Sequence, residues 1–146
     1  MDLQVSYYKS CVLSIHRGLS FGTPSNAKPL FLLAIIKGIE EGTIIGNQIR
    51  YDDLIERDYY ELCKLYEPSR KPAPLFKPFF HSDKENYYSI KWKNGHMPAH
   101  NYHTPSSRFI KDNMEYAYLD SGFWDILQDN KSRDEFKTVI KKQYLD

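Results

Sequence analysis

Apolar positions recur at helical spacing along most of the chain and alternate only in its middle. Residues 5–16 carry Val5, Tyr8, Val12, Leu13 and His16 at roughly helical intervals. Gly22, Pro24 and Asn26 then break the pattern, so 18–26 reads as a loop. The run Leu30–Ile36 is apolar on nearly every side. A helix without a polar face must be covered all round, so 30–41 is predicted to be the central buried helix. Pro29 suits its first turn, where a missing N–H costs nothing, and Gly42 suits its end. Residues 43–49 form a connector with room for a short strand. Leu54, Ile55, Tyr59, Leu62, Cys63 and Tyr66 then share a helical face, behind Asp53 and Glu56 at capping-box spacing.

Pro68, Pro72, Pro74 and Pro78 forbid a continuing helix. Residues 79–93 read as two short strands around a polar turn at 82–86. In the second strand Tyr88, Ile90 and Trp92 alternate with Ser89, Lys91 and Lys93. Residues 94–107 contain Gly95, Pro98 and Pro105 without periodicity, and a loop that long is commonly functional. Helices return over Arg108–Tyr116, then after a cap at Asp120 or Ser121 with Trp124, Ile126 and Leu127 inward. A last helix begins at the capping box Ser132 to Glu135, burying Phe136, Val139, Ile140 and Tyr144. The order predicts a mostly helical α+β fold. Helices pack around the buried central helix, with a small antiparallel β-hairpin and a long recognition loop.

The length of 146 residues suits one domain over 1–146, and 41% hydrophobic residues suffice for a core. No apolar run approaches the roughly 18 residues of a membrane span, and no basic segment precedes an apolar one at the N-terminus. Two cysteines, Cys11 and Cys63, are too few for a disulfide framework. A cytoplasmic protein without membrane contact is expected.

The net charge of +1 conceals an asymmetry. Residues 68–111 hold eight basic residues against Asp83 and Glu85, a net of +6, while the remainder carries −5. Four of the five histidines (His81, His96, His100, His103) lie in the same stretch, and the chain has twelve tyrosines. A basic, aromatic segment of this kind points to a polyanion-binding face or, more plainly, to a solvated surface.

His96, His100 and His103 are spaced i, i+4, i+7, which on a helix would put three imidazoles on one face for Zn²⁺. Gly95 and Pro98 interrupt such a helix, and polar loop groups or donors to phosphate and base edges are the other readings. His81, Asp83 and Glu85 cluster near the expected hairpin, as the general base of an HNH nuclease would require, but no later helix carries the partner ligands. Gly22–Lys28 lacks the Gly-Lys-Ser/Thr ending of a nucleotide loop. No Gly-x-Ser-x-Gly elbow is present, and no cofactor is implied. Lys28 at the start of the buried helix is either an anion grip or a solvated cap residue.

Three segments together resemble one family. Lys28-Pro29-Leu30-Phe31-Leu32-Leu33 resembles the Lys/Arg-Pro and aliphatic run that opens its central helix. Pro78-Phe79-Phe80-His81, followed by Asn86-Tyr87-Tyr88-Ser89-Ile90, resembles its Pro-Phe-aromatic hairpin. Glu115–Asp120 and Phe123–Asp129 resemble its C-terminal pattern. The family is the sulfur-binding domain of modification-dependent HNH restriction endonucleases, and the resemblance spans about residues 10–145. It implies a non-catalytic module that binds phosphorothioate-modified double-stranded DNA, with an HNH nuclease domain in cis or in trans. It also implies a sulfur pocket around the ring of Pro78, a phosphate grip by Lys28 and His81 at the pocket wall, with Phe79 of the same motif among the DNA- or sulfur-binding residues. Lys77 stands where the family usually has a tyrosine, supplying charge in place of an aromatic wall. The recognition loop maps loosely onto 96–108. There His100, Asn101, His103 and Arg108 offer donors to major-groove edges, and Tyr102 a ring to pack on a sugar or base. The alternative reading is a metal-dependent HNH-like nuclease using the His-rich segment, and a third is a protein-binding adaptor using the aromatic surface.

Overall fold

A computed structural model describes residues 2–20, 22–98 and 106–146. In chain order its elements begin with α1 (Leu3–Leu13), the two-residue pair β1 (Leu19–Ser20) and β2 (Thr23–Pro24), and α2 (Ala27–Glu41). Next come α3 (Asp53–Tyr66), α4 (Phe76–His81), a 3-10 turn over Ser82–Lys84, and β3 (Tyr88–Trp92). The chain then forms α5 (Ser107–Asn113), β4 (Met114–Leu119), α6 (Ser121–Ile126), α7 (Asn130–Ile140) and a closing π-type turn over Lys141–Leu145. The fold is α+β and mostly helical.

Helix α2 is the axis. Pro29 to Ile36 are all buried, as are Gly38 and Ile39, because α3, α4 and α7 cover its different sides. Burying each large aliphatic side chain there is worth about 1.5–3 kcal/mol. Gly42 ends the helix with φ 77°, a left-handed conformation that glycine adopts without penalty. Among the described residues no helix is long and apolar enough to cross a membrane.

The hairpin expected over 79–93 does not form. Phe76–His81 is helix α4, entered through the N–H of Phe79 donating to the Leu75 carbonyl. Pro78 is compatible with it because the third position of a helix has no intrahelical partner for its N–H. Strand β3 instead pairs antiparallel with β4, Tyr88 opposite Leu119 and Lys91 opposite Tyr116, with a bulge between Lys91 and Trp92. The expected helix 108–116 accordingly stops at Asn113. The connector 43–49 reaches the sheet at one point: Ile49 and Ala117 exchange both backbone hydrogen bonds at 2.8 Å. Nearby, the Asn47 amide accepts from the Leu119 N–H and donates to its carbonyl.

Two helix caps also shift. Asp52, and not Asp53, caps α3, its carboxylate accepting from the N–H groups of Leu54 and Ile55. Helix α7 starts at Asn130 under Asp129, which accepts from the Ser132 N–H, so Ser132 lies inside it. Phe123 and Leu127 are the fully buried residues around α6, whereas Trp124 and Ile126 are half-buried. Cys63 is a buried small hydrophobe as expected, and burial pushes its thiol pKa up to about 11.

Candidate functional site

Proline-rich chain from 68 to 75 leads into α4, which lies against the N-terminal half of α2. Within α4 consecutive residues do opposite things. Phe79 is fully buried, its ring centroid 5.5 Å from that of Phe31 and 5.1 Å from that of Tyr51. Lys77 is exposed, while Pro78 and His81 border a cleft of about 490 Å³. Pro78 lines it together with Leu19, Ala27 and Ala73, which make its apolar part. The polar part comes from His16, Arg17, Lys28, Lys77, His81 and Lys84. Residues from positions 16–28 and 73–84 thus meet at one surface.

The cations of this cleft are held differently. Lys28 is nearly buried, and its Nζ donates to Glu85 Oε2 at 2.8 Å. Glu85 comes directly after the 3-10 turn, its side chain 3% exposed, and also lies 3.3 Å from both the backbone N and the ring Nδ1 of His16. Arg17 donates to the Asn26 amide oxygen and lies over the Tyr144 ring, with 5.0 Å from its guanidinium carbon to the ring centroid. Lys77 and Lys84 are exposed and have no carboxylate partner among the described residues.

The Nδ1 of His81 is buried and has no hydrogen-bond partner among the described residues. Burial lowers its pKa first, and the positive charges of Lys84, Lys28 and Lys77 lower it further. The unbound cleft therefore disfavours one more positive charge, which a bound anion would reverse. An apolar floor with a cationic rim suits an anion that is large and weakly hydrated.

Of the residues singled out in the sequence, Lys28, Lys77, Pro78 and His81 come together. Phe79 does not join them: it belongs to the core, and a side chain with no exposed surface cannot touch a ligand. Arg108 lies on the first turn of α5, its side chain 91% exposed and 3.5 Å from Asp112, outside the cleft. His100, Asn101, Tyr102 and His103 lie outside the described residues. His96 is exposed in a non-helical segment, so the helix needed for an i, i+4, i+7 metal face is absent at its first member. Among the described residues no group of three or more His, Cys, Asp or Glu is arranged to hold a metal ion.

Sequence reasoning missed His16, Arg17 and Lys84 as cleft residues, and noticed Glu85 only beside His81 and Asp83 as the start of a nuclease site. Glu85 also stands out as one of only two acids in the basic stretch 68–111. No protein-family model matches the chain, and no curated protein is significantly similar to it.

Proposed function

We propose that this protein binds phosphorothioate-modified duplex DNA as the reading module of a restriction system, its nuclease acting in cis or in trans. One observation carries the reading: Lys28, Pro78 and His81, which the resemblance assigns to a sulfur pocket, line a single cleft with Lys77. Sulfur in place of a phosphate oxygen makes the anion larger, more polarisable and less strongly hydrated. Seating oxygen against Pro78, Ala27 and Ala73 would strip water that these groups cannot replace, whereas sulfur loses less. A contact of this kind discriminates by about 1–3 kcal/mol, or ten- to a hundredfold. Lys77 and Lys84 would hold backbone phosphates and supply sequence-independent affinity.

The test is a titration against two short duplexes that differ by one phosphorothioate, at moderate salt. The modified duplex is expected to bind at least about tenfold tighter. Equal affinities would overturn the reading. Lys77→Ala and Lys84→Ala are each expected to weaken both duplexes alike and to lower the salt dependence by about one unit of slope.

Binding is also expected to strengthen as pH falls. A bound phosphate raises the His81 pKa, so the complex takes up a proton, and a rise of one unit gives up to about tenfold in affinity. Lys28 from α2, Lys77 on α4 and Lys84 on the adjoining turn set this field, and His16 and Arg17 line the same cleft. Affinities at pH 8 and pH 6 for the wild type and His81→Phe check this. The variant is expected to lose most of the pH dependence, and full retention would show that His81 is not its source.

A further inference from the structure

We infer that Glu85 sets the sulfur preference of the cleft by engaging the donors that an ordinary phosphate oxygen would need. The inference rests on the binding reading above and names the residue that makes the pocket selective. A carboxylate with a 3% exposed side chain is costly unless it is paired. Glu85 is paired with groups of the cleft wall itself: Lys28 Nζ at 2.8 Å, and the His16 backbone N and Nδ1 at 3.3 Å. Without the carboxylate, Lys28 beside the apolar floor would be a strong, partly desolvated donor facing the ligand. Such a donor would repay an oxygen anion for its lost water, and plain phosphate would bind well.

With Glu85 present, any anion at the floor must compete with it for Lys28 and His16. A hard oxygen, which gives up the most hydration, loses most by this competition. A softer sulfur is accommodated by contact with Pro78 and its apolar neighbours and depends less on those donors. The rim cations Lys77 and Lys84 remain available to phosphate charge in either duplex. Selectivity then comes from a weakened hydrogen-bonding site and not from an added attraction to sulfur.

Glu85→Gln removes the charge and keeps the shape. It is expected to strengthen binding of the plain duplex more than that of the modified duplex, shrinking a preference of about tenfold to about two- or threefold. Glu85→Asp, which keeps the charge, is expected to retain most of the preference. Should Glu85→Gln fail to fold, as a thermal melt would reveal, Glu85→Asp decides the matter, because a folded variant that keeps the charge but loses the preference leaves the competition no role.

If Glu85→Gln weakens the modified duplex selectively, Glu85 only positions Lys28 and the inference is overturned. Equal changes for both duplexes in Glu85→Gln, or a folded Glu85→Asp without preference, overturn it as well. A wild type that fails to distinguish the duplexes overturns the binding reading itself, a result visible before any variant is made.

Discussion

Replacing Pro78 with alanine is expected to bring the affinity for a phosphorothioate duplex down to that for plain DNA, a loss of about ten- to a hundredfold. Plain-duplex affinity should barely change. The pyrrolidine ring is the largest rigid apolar group among the residues that make the cleft's apolar part, the others being Leu19, Ala27 and Ala73. Leu19 is 77% exposed, so it gives little enclosure. Removing the ring deepens the floor and admits water where the sulfur would sit. The helix itself survives, because position three of α4 needs no N–H and alanine is a good helix former. Losing proline's restriction of the unfolded chain costs about 0.4–1 kcal/mol, a few degrees of melting temperature at this size. Paired titrations with both duplexes, alongside a thermal melt, check this. A parallel fall in both affinities would mean that Pro78 serves only to place α4.

Phe79→Ala is expected to destabilise the protein by about 3–5 kcal/mol, a large part of the roughly 5–15 kcal/mol available to an ordinary protein. Phe79 is fully buried between Phe31 of α2 and Tyr51, and its backbone carbonyl accepts the hydroxyl of the buried Tyr88. Truncation leaves a cavity bordered by rigid rings, which cannot collapse into it. Urea denaturation measures the loss. DNA binding should fall with it, because α4 carries Lys77, Pro78 and His81 on the same six residues. Phe79→Leu, which refills most of the space, is expected to restore both properties in large part. If Phe79→Ala lost binding without losing stability, Phe79 would be a ligand contact after all.

Helices α2 and α3 are legible in the chain because their apolar spacing is local and uninterrupted. The strand β3 is legible through the alternation of Tyr88, Ile90 and Trp92 with polar neighbours. Its partner is not. Met114–Leu119 continues directly from a helix, and its strand state depends on β3 and on Ile49, both distant in sequence. Helix α4 is hidden for a different reason. Its aromatic pair Phe79-Phe80 and the prolines around it imitate a strand start, and six residues are too few to show a helical period. The site divides in the same way. Lys28, Pro78 and His81 enter through the resemblance, and Lys77 through its place before Pro78. His16, Arg17 and Lys84 become recognisable only when the turn after α4 is folded beside the residues that follow α1, since only then does the buried Glu85 face His16 and Lys28.

The short helix α4 separates its duties by direction. Phe79 points into the core while Lys77 and His81, two residues away on either side, meet solvent or cleft. Exchanging either outward residue alters what the surface attracts without disturbing what the interior packs. A lineage built on this arrangement is free to retune its ligand by single substitutions, whereas any change at the intervening phenylalanine must be answered by Phe31 and Tyr51. Divergence of taste over a constant interior is therefore the pattern that this geometry permits.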